Sequence, residues 1–219
     1  MTADRHPVPV PTEPVPRPDA LVATAHDEGV DAATVAARRL VEALLRAGDD
    51  TDVDMTDVTK QLDSLADQLT ERAPGLEERL VTMWQGTGIT RHDPVTGPEN
   101  AIAPPLKLIG QDDGSVQGTV SLGLAYQGPP RCAHGGVSAL LLDHTLGVAN
   151  HWAGLSGMTA ELTLRYLRPT PLFEPLTVTG RQLSVDGRKI RTEGSIEAGG
   201  RACVTVQGLF IAKELPRPS

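Results

Sequence analysis

The sequence predicts an α+β fold in which an antiparallel sheet wraps around one long apolar helix, preceded by a helical N-terminal extension. Three observations support this prediction. The apolar stretch of residues 137–152 has the length of a buried helix. Alternating segments joined by short glycine turns follow it, which is typical of paired antiparallel strands. The alternation of strand and helix that marks a parallel sheet is absent.

Composition divides the chain into four predicted parts. Residues 1–25 form a disordered tail, because prolines recur between positions 7 and 18 at a spacing that favours an extended, solvated chain. Residues 26–99 form the helical extension and residues 100–213 the main domain. Residues 214–219 form a second, short tail.

The extension contains two stretches with helical periodicity. The first predicted helix covers residues 31–47 and ends at Gly48. The second starts with Thr56 as its cap and stops before Pro74. Residues 76–84 then form a short apolar stretch expected to dock the extension on the main domain. We interpret the extension as a structural lid or dimer accessory, or alternatively as a partner-binding or regulatory arm.

The main domain begins with short strands, continues with one helix and ends with consecutive strands. The helix is predicted from Gly135 to Trp152. The predicted strands cover residues 106–109, 115–124, 158–167, 176–184, 189–197 and 202–211. Asp186-Gly187 and Gly199-Gly200 supply hairpin turns, so the strands that they join pair antiparallel.

Charge and cysteine content narrow the function classes. The net charge is −8, and residues 1–85 carry 17 acidic against 8 basic side chains. Such an acidic half is repelled by phosphate backbones, so no nucleic-acid partner is expected. Two distant cysteines predict neither a disulfide framework nor a metal cluster. With no signal peptide and no membrane span in the sequence, a cytoplasmic location is expected.

The central helix carries Asp143 in the middle of an otherwise apolar run, where an unpaired carboxylate costs several kcal/mol, about 3–5, if buried. Helical spacing places the aspartate on a stripe of small residues that a ligand or another chain can approach. The stripe consists of Gly136, Ala139, Asp143, Gly147 and Asn150. The alternative is a structural role, in which Asp143 pairs with an arginine or caps a neighbouring helix.

His134-Gly135-Gly136 stands immediately before this helix. Two glycines let the backbone approach a ligand closely, and the free N–H groups of a first helical turn favour negative charge. These groups are suited to polarising a carbonyl and holding an oxyanion. The alternative is that the two glycines form an ordinary tight turn. The aspartate nine residues after the histidine makes this alternative less favoured.

Four motifs together resemble the hotdog-fold thioesterases, nearest to the phenylacetyl-CoA thioesterase (PaaI-like) branch and to mitochondrial thioesterase-superfamily proteins. The resemblance covers residues 100–213. The motifs are Tyr126-Gln127-Gly128-Pro129-Pro130-Arg131-Cys132-Ala133-His134-Gly135-Gly136, then Asp143, then Met158-Thr159-Ala160, and then Tyr166-Leu167-Arg168-Pro169.

The resemblance implies four catalytic residues. Asp143 acts as nucleophile or as general base on water, and the Gly135 N–H polarises the thioester carbonyl. Thr159, contributed by the other subunit, helps to position the water. His134 shapes the site near the thioester sulfur.

The resemblance also implies a substrate-binding set, and here the sequence departs from the family at one position. The family often places an asparagine six residues before the histidine, where this chain has Gly128, so Gln127 is the candidate to replace its amide. The hairpin residues of the set are expected near the CoA moiety, with an ordinary exposed turn as the alternative. The set comprises Gln127, Gly136, Tyr166, Gly187, Arg188 and Lys189.

The predicted function is hydrolysis of acyl-CoA thioesters in lipid metabolism by a homodimer or a dimer of dimers. No cofactor is expected, because CoA is part of the substrate, and no metal is expected either. Leu140, Leu142 and Leu146 are the candidate lining for an aliphatic acyl chain. Two alternatives stay open: a hotdog dehydratase or hydratase, whose Asp-x-Asn-Pro-x-His run is absent, and a non-catalytic acyl-CoA-binding module.

Overall fold

The computed structural model describes residues 21–48, 51–82 and 90–212. Most of the predicted N-terminal tail and the whole of the predicted C-terminal tail lie outside these residues, and the boundaries of the four parts stay predictions. Within the described ranges, every helix is too short or too polar to cross a membrane.

The extension contains three helices: α1 at Gly29–Ala47, α2 at Met55–Thr70 and α3 at Leu76–Thr82. The first ends at Gly48 as predicted, in a left-handed conformation with φ 54°. The predicted cap of α2 is wrong. Asp54 caps this helix instead, because its carboxylate accepts the Thr56 N–H at 2.9 Å.

The apolar stripe of α2 is exposed in the single chain. No residue of this helix is buried, and Leu65 and Leu69 are 53% and 65% exposed. Residues 76–84 were predicted to pack their apolar side chains on the main domain. The first of them, Leu76, does not do so, since it is 74% exposed. Residues 83 and 84 of that segment lie outside the described chain. Another kind of contact therefore attaches the extension.

Ion pairs centred on Arg91 tie α1 and α3 to the segment before the sheet. The Arg91 guanidinium donates to both carboxylate oxygens of Asp31, at 2.7 and 2.8 Å, and to Glu99 at 2.6 Å. Arg79 of α3 reaches the same Glu99 at 3.0 Å. The His26 N–H and the Arg91 guanidinium lower the pKa of the buried Asp31 carboxyl. The carboxylate therefore stays charged and keeps the pair intact at neutral pH.

The main domain is a six-stranded antiparallel sheet with the order β1-β2-β4-β5-β6-β3. The strands are β1 Lys107–Gly110, β2 Val116–Val120, β3 Gly157–Tyr166, β4 Leu176–Asp186, β5 Lys189–Ala198 and β6 Arg201–Ala212. The predicted segments match these within two residues at each end, except that β2 ends at Val120 and not at residue 124. There the chain leaves the sheet for a 3-10 helix at Leu124–Tyr126.

The long helix α4, Gly135–Trp152, has the predicted bounds and packs on one face of the sheet. Leu146 is fully buried above a patch where three neighbouring strands each carry a glycine. A Cβ at Gly180, Gly194 or Gly208 would lie 3.4, 3.2 or 2.9 Å from the Leu146 side chain. The missing side chains therefore let α4 approach the sheet closely, and the predicted hotdog architecture is confirmed.

Leu146→Ala is expected to lower the free energy of unfolding by about 2–5 kcal/mol, because it leaves a cavity between α4 and the glycine patch. Leu65→Ala, the same change at an exposed position of α2, is the matched control and should cost under about 1 kcal/mol. Urea denaturation followed by circular dichroism measures both. Equal losses for the two variants would contradict this account of the core.

Candidate functional site

The turn that opens α4 is closed by the side chain of His134. This residue precedes the helix, and its ring Nδ1 accepts the Gly136 N–H at 3.0 Å. This acceptor role of Nδ1 leaves Nε2 as the ring nitrogen that can donate, and the side chain is exposed. Gly136, predicted to bind substrate, already uses its N–H in this cap.

Gly135, between these two residues, keeps its N–H open. The N–H has no acceptor among the described residues, and the residue is partly exposed. The Tyr166 hydroxyl donates to the Gly135 carbonyl at 3.0 Å, and the Tyr166 ring lies 3.3 Å from the position that a Cβ would take. The structure thus brings the predicted residues Gly135 and Tyr166 together. It leaves one donor at the positive end of the helix.

The loop before α4 explains the departure at position 128. Gly128 donates its N–H to the Cys132 carbonyl, and His134 donates its N–H to the Tyr126 carbonyl, both at 2.9 Å. A Cβ at Gly128 would lie 2.7 Å from the Cα of His134, so a side chain cannot be accommodated in this loop. Gln127 beside it is exposed and on the same loop as His134.

Asp143 lies on the side of α4 that faces β3. Its Oδ1 accepts a hydrogen bond from the Thr159 hydroxyl at 2.8 Å. Its Oδ2 has no partner among the described residues, and no arginine or lysine there forms an ion pair with it. The side chain is partly exposed in the single chain, so the predicted burial is wrong at this level of assembly.

Thr159 reaches this carboxylate within the same chain, and its expected contribution from the subunit opposite Gly135 stays a prediction. It pairs with Phe210, which is buried beneath the helix, so both side chains point to the α4 side of the sheet. Since β3 runs back beside α4, its first residues lie next to the middle of the helix. Asp143 and Thr159 form a preassembled pair.

The predicted site residues fall into two separate groups along α4. Gly135 and His134 lie at its start beside Tyr166 of β3, which is predicted to bind substrate, whereas Asp143 lies eight residues further on beside Thr159 of β3. Eight residues of α-helix span about 12 Å. One thioester carbonyl therefore cannot contact both groups of a single chain.

The predicted basic hairpin lies at the Thr159 end of the sheet. Arg188 is anchored to the last residue of β6, since its Nε donates to the Ala212 carbonyl at 3.2 Å and its own carbonyl accepts the Ala212 N–H at 2.8 Å. Gly187 turns the chain with φ 56°, and Lys189 is exposed. Within one chain, the hairpin thus lies nearer to Asp143 and Thr159 than to Gly135.

Two expectations about the helix surface need correction. Leu142 and Leu146 are fully buried against the sheet, so they belong to the core and cannot line an acyl channel, whereas Leu140 is 40% exposed. The small-residue stripe ends in the core as well. Asn150 is fully buried and accepts the Gln182 amide at 3.2 Å, while a Cβ at Gly147 would meet nothing within 4 Å.

His144 is not among the predicted residues. It follows Asp143 and joins α4 to the segment before the sheet. Its Nδ1 lies 3.5 Å from the Asp93 carboxylate, and its Nε2 lies 3.3 Å from the Thr96 hydroxyl. Burial lowers the pKa of His144, and the charges of Asp93 and Asp143 offset this only in part. The ring is therefore neutral at neutral pH. No local pattern in the sequence identifies this contact.

A groove of about 500 Å³ lies on the opposite, outer face of the sheet and contains neither catalytic group. Arg165, Arg181 and Glu193 are among the polar side chains that line it. We place the candidate site on the α4 face, because the open N–H and the open carboxylate oxygen both lie there.

Comparison with known proteins finds a relative of nearly full length. The crystal structure of protein RHA08564, described as a thioesterase superfamily protein, is 58% identical to this chain. The match covers 90% of this chain and 97% of that protein, with a TM-score of 0.82. The profile described as Thioesterase superfamily matches residues 132–205, and the N-terminal helical domain of hypothetical protein RHA1_ro05818 matches residues 21–78.

Two curated relatives are similar over less than half of this chain. Acyl-coenzyme A thioesterase THEM4 of Rattus norvegicus is 32% identical over 98 residues, which are 44% of this chain and 42% of that protein. The Mus musculus protein of the same name is 36% identical over 83 residues, or 36% of each chain. The match thus spans less than half the length of these relatives.

His144→Gln is expected to reduce the loss of stability on acidification. The folded-state pKa of His144 lies below the unfolded value of about 6.5, so unfolded chains bind the proton first. Its contribution to stability is complete above that value and is lost as pH falls below it. Thermal unfolding at pH 7.5 and 5.5 should therefore show a smaller difference in the variant than in the wild type. His151→Gln, on the same helix, is the control, and an unchanged pH difference in His144→Gln would refute the expectation.

Proposed function

Because the chain belongs to the thioesterase superfamily, we propose that it hydrolyses acyl-CoA thioesters to a carboxylic acid and free CoA. One observation supports this more than any other: the Asp143–Thr159 pair keeps one carboxylate oxygen free on an accessible face of the central helix. The two curated relatives named acyl-coenzyme A thioesterase favour the same substrate class.

We propose further that two chains build each active site. Gly135 and Asp143 of one helix are about 12 Å apart, so a carbonyl polarised by one Gly135 needs the Asp143 of a partner subunit. Two α4 helices side by side and antiparallel satisfy this requirement twice and give two equivalent sites.

The edge of the sheet offers a surface for such a homodimer. β3 is the last strand in the sheet order, and its outer edge is unpaired in the single chain. Exposed apolar side chains lie along it and on the adjacent helix: Met158 is 57% exposed, Tyr166 56% and Leu140 40%. Strand edges and apolar patches of this kind favour association. A dimer of dimers stays a prediction.

In the proposed reaction, the Gly135 N–H and the dipole of α4 stabilise the negative charge that grows on the thioester oxygen. One such donor is typically worth about 2.7–4 kcal/mol. Asp143 takes a proton from a water held between its free oxygen and Thr159, and the water oxygen attacks the carbonyl. The tetrahedral intermediate expels CoA as a thiolate, which takes the proton from Asp143 and so restores the carboxylate. Direct attack by Asp143 through a mixed anhydride is the alternative course.

The remaining predicted residues have supporting roles in this proposal. The Nε2–H of His134 and the amide of Gln127 flank the thioester at the helix start, with Tyr166 as a wall. Arg188 and Lys189 supply positive charge for the CoA phosphates. The reaction needs no cofactor, because CoA enters with the substrate.

Asp143→Asn is expected to reduce turnover at least about a hundredfold, because the amide preserves the shape but cannot accept a proton or attack. Release of free CoA from a panel of acyl-CoAs measures the effect, and thermal unfolding verifies the fold. An undiminished rate in the variant would disprove the assignment. Tight acyl-CoA binding by the wild type without thiol release would instead identify a non-catalytic binding module.

Gly135→Pro is expected to reduce turnover by about 10²–10³, because proline removes the open N–H at a position where helices tolerate it. The preceding residue, His134, has φ −62° and ψ 136°, which suit a following proline. Gly135→Ala is the matched control, since it adds a Cβ facing Tyr166 but keeps the donor. An alanine variant as slow as the proline variant would show that crowding, and not the donor, matters.

Mixed dimers of Gly135→Pro and Asp143→Asn chains test whether the two groups come from different subunits. Random pairing makes half of the dimers mixed, and each mixed dimer has one intact site, so about a quarter of wild-type activity should return. Each variant alone should keep no more than about 1% of that activity. Absence of recovery after verified exchange of subunits would place both groups in the same chain.

A further inference from the structure

The helix α1 is fixed to the segment before the sheet, residues 90–106. The Arg38 guanidinium donates to the carbonyls of Gly97 and Asn100, at 3.2 and 2.7 Å. Together with the pair formed by Arg91 and Asp31, these bonds hold the helix at two points along its length. α1 is therefore a rigid support from which a side chain can act on the main domain.

Glu42 of α1 makes such a contact. Its Oε2 accepts the Leu124 N–H at 3.2 Å, at the first residue of the 3-10 helix. Gly123, which precedes that helix, provides no side-chain cap, and a Cβ there would lie 3.1 Å from the Glu42 carboxylate. The Glu42 carboxylate thus caps the start of the 3-10 helix. In other helices an Asp or Ser next to the first turn has this role.

The 3-10 helix in turn holds the start of α4. The Tyr126 carbonyl accepts the His134 N–H at 2.9 Å, and the Tyr126 hydroxyl donates to the Ile102 carbonyl at 3.1 Å. His134 directly precedes Gly135, whose N–H is the open donor. A shift of the 3-10 helix therefore moves the peptide unit that carries this donor.

We propose that Glu42 is a positioning residue for the thioester site, and that the helical extension acts through it to fix the direction of the Gly135 N–H. This inference rests on the proposed function and adds a role for a part of the chain that does not touch the reacting atoms. An oxyanion donor acts most strongly in the transition state, so a misdirected N–H lowers kcat more than it changes KM.

The test compares Glu42→Ala with Glu42→Gln in the full-length protein. The alanine variant should lose about tenfold in kcat with KM within about twofold, because the oxyanion is held less well. The glutamine variant keeps a carbonyl oxygen as acceptor and should recover most of kcat. Glu71→Ala is the matched control, since it makes the same change at an exposed position of the extension.

Native-state hydrogen exchange separates the outcomes. The Leu124 and His134 amides should exchange faster in Glu42→Ala than in the wild type and in Glu71→Ala, whether or not the protein proves to be a thioesterase. Wild-type kcat in Glu42→Ala, or unchanged exchange at both amides, would overturn the inference. So would a loss of kcat that glutamine does not restore, or an equal loss in Glu71→Ala. Absence of turnover in the wild type would instead refute the proposed function.

Discussion

The rise of an α-helix, about 1.5 Å per residue, is the constraint on which the organisation of this molecule depends. Gly135 and Asp143 lie on one rigid helix, held by its close packing over the three sheet glycines. No motion of loops can bring these two residues to the same carbonyl. A site that uses both would therefore take one residue from each of two chains, as proposed above, and the edge of β3, unpaired in the single chain, is the surface proposed for this contact.

The same geometry separates two groups of opposite charge, the N–H donor at the start of α4 and the carboxylate in its middle. The start of α4 offers a free N–H and the positive end of the helix dipole, while the middle of the helix offers a carboxylate with one free oxygen. If both lay together in one chain, the donor and the carboxylate would satisfy each other in the absence of substrate. Their separation by eight residues prevents this contact within one chain and leaves the Gly135 N–H and one Asp143 oxygen without a partner among the described residues.

Local patterns predicted what depends on local structure. The two glycines after His134 and the apolar run that follows fixed the bounds of α4, and the paired glycine turns fixed the antiparallel order of the later strands. The carboxylate was identified for a physical reason, as a charge on an apolar helix, and the structure places it on an open face. The role of Thr159 followed from the family resemblance, and the structure adds that its hydroxyl contacts Asp143 of the same chain, which periodicity alone does not reveal.

Contacts between distant parts of the chain escaped prediction, because no spacing rule connects them. Glu42 and Leu124 are 82 residues apart, and neither has a conspicuous sequence context. The burial of His144 against Asp93 likewise depends on how the segment before the sheet crosses α4. Both contacts join a part of the chain outside the sheet to the helix or to the loop before it. Through Glu42, the extension caps the 3-10 helix that precedes the loop before α4, and the proposed positioning role depends on this contact.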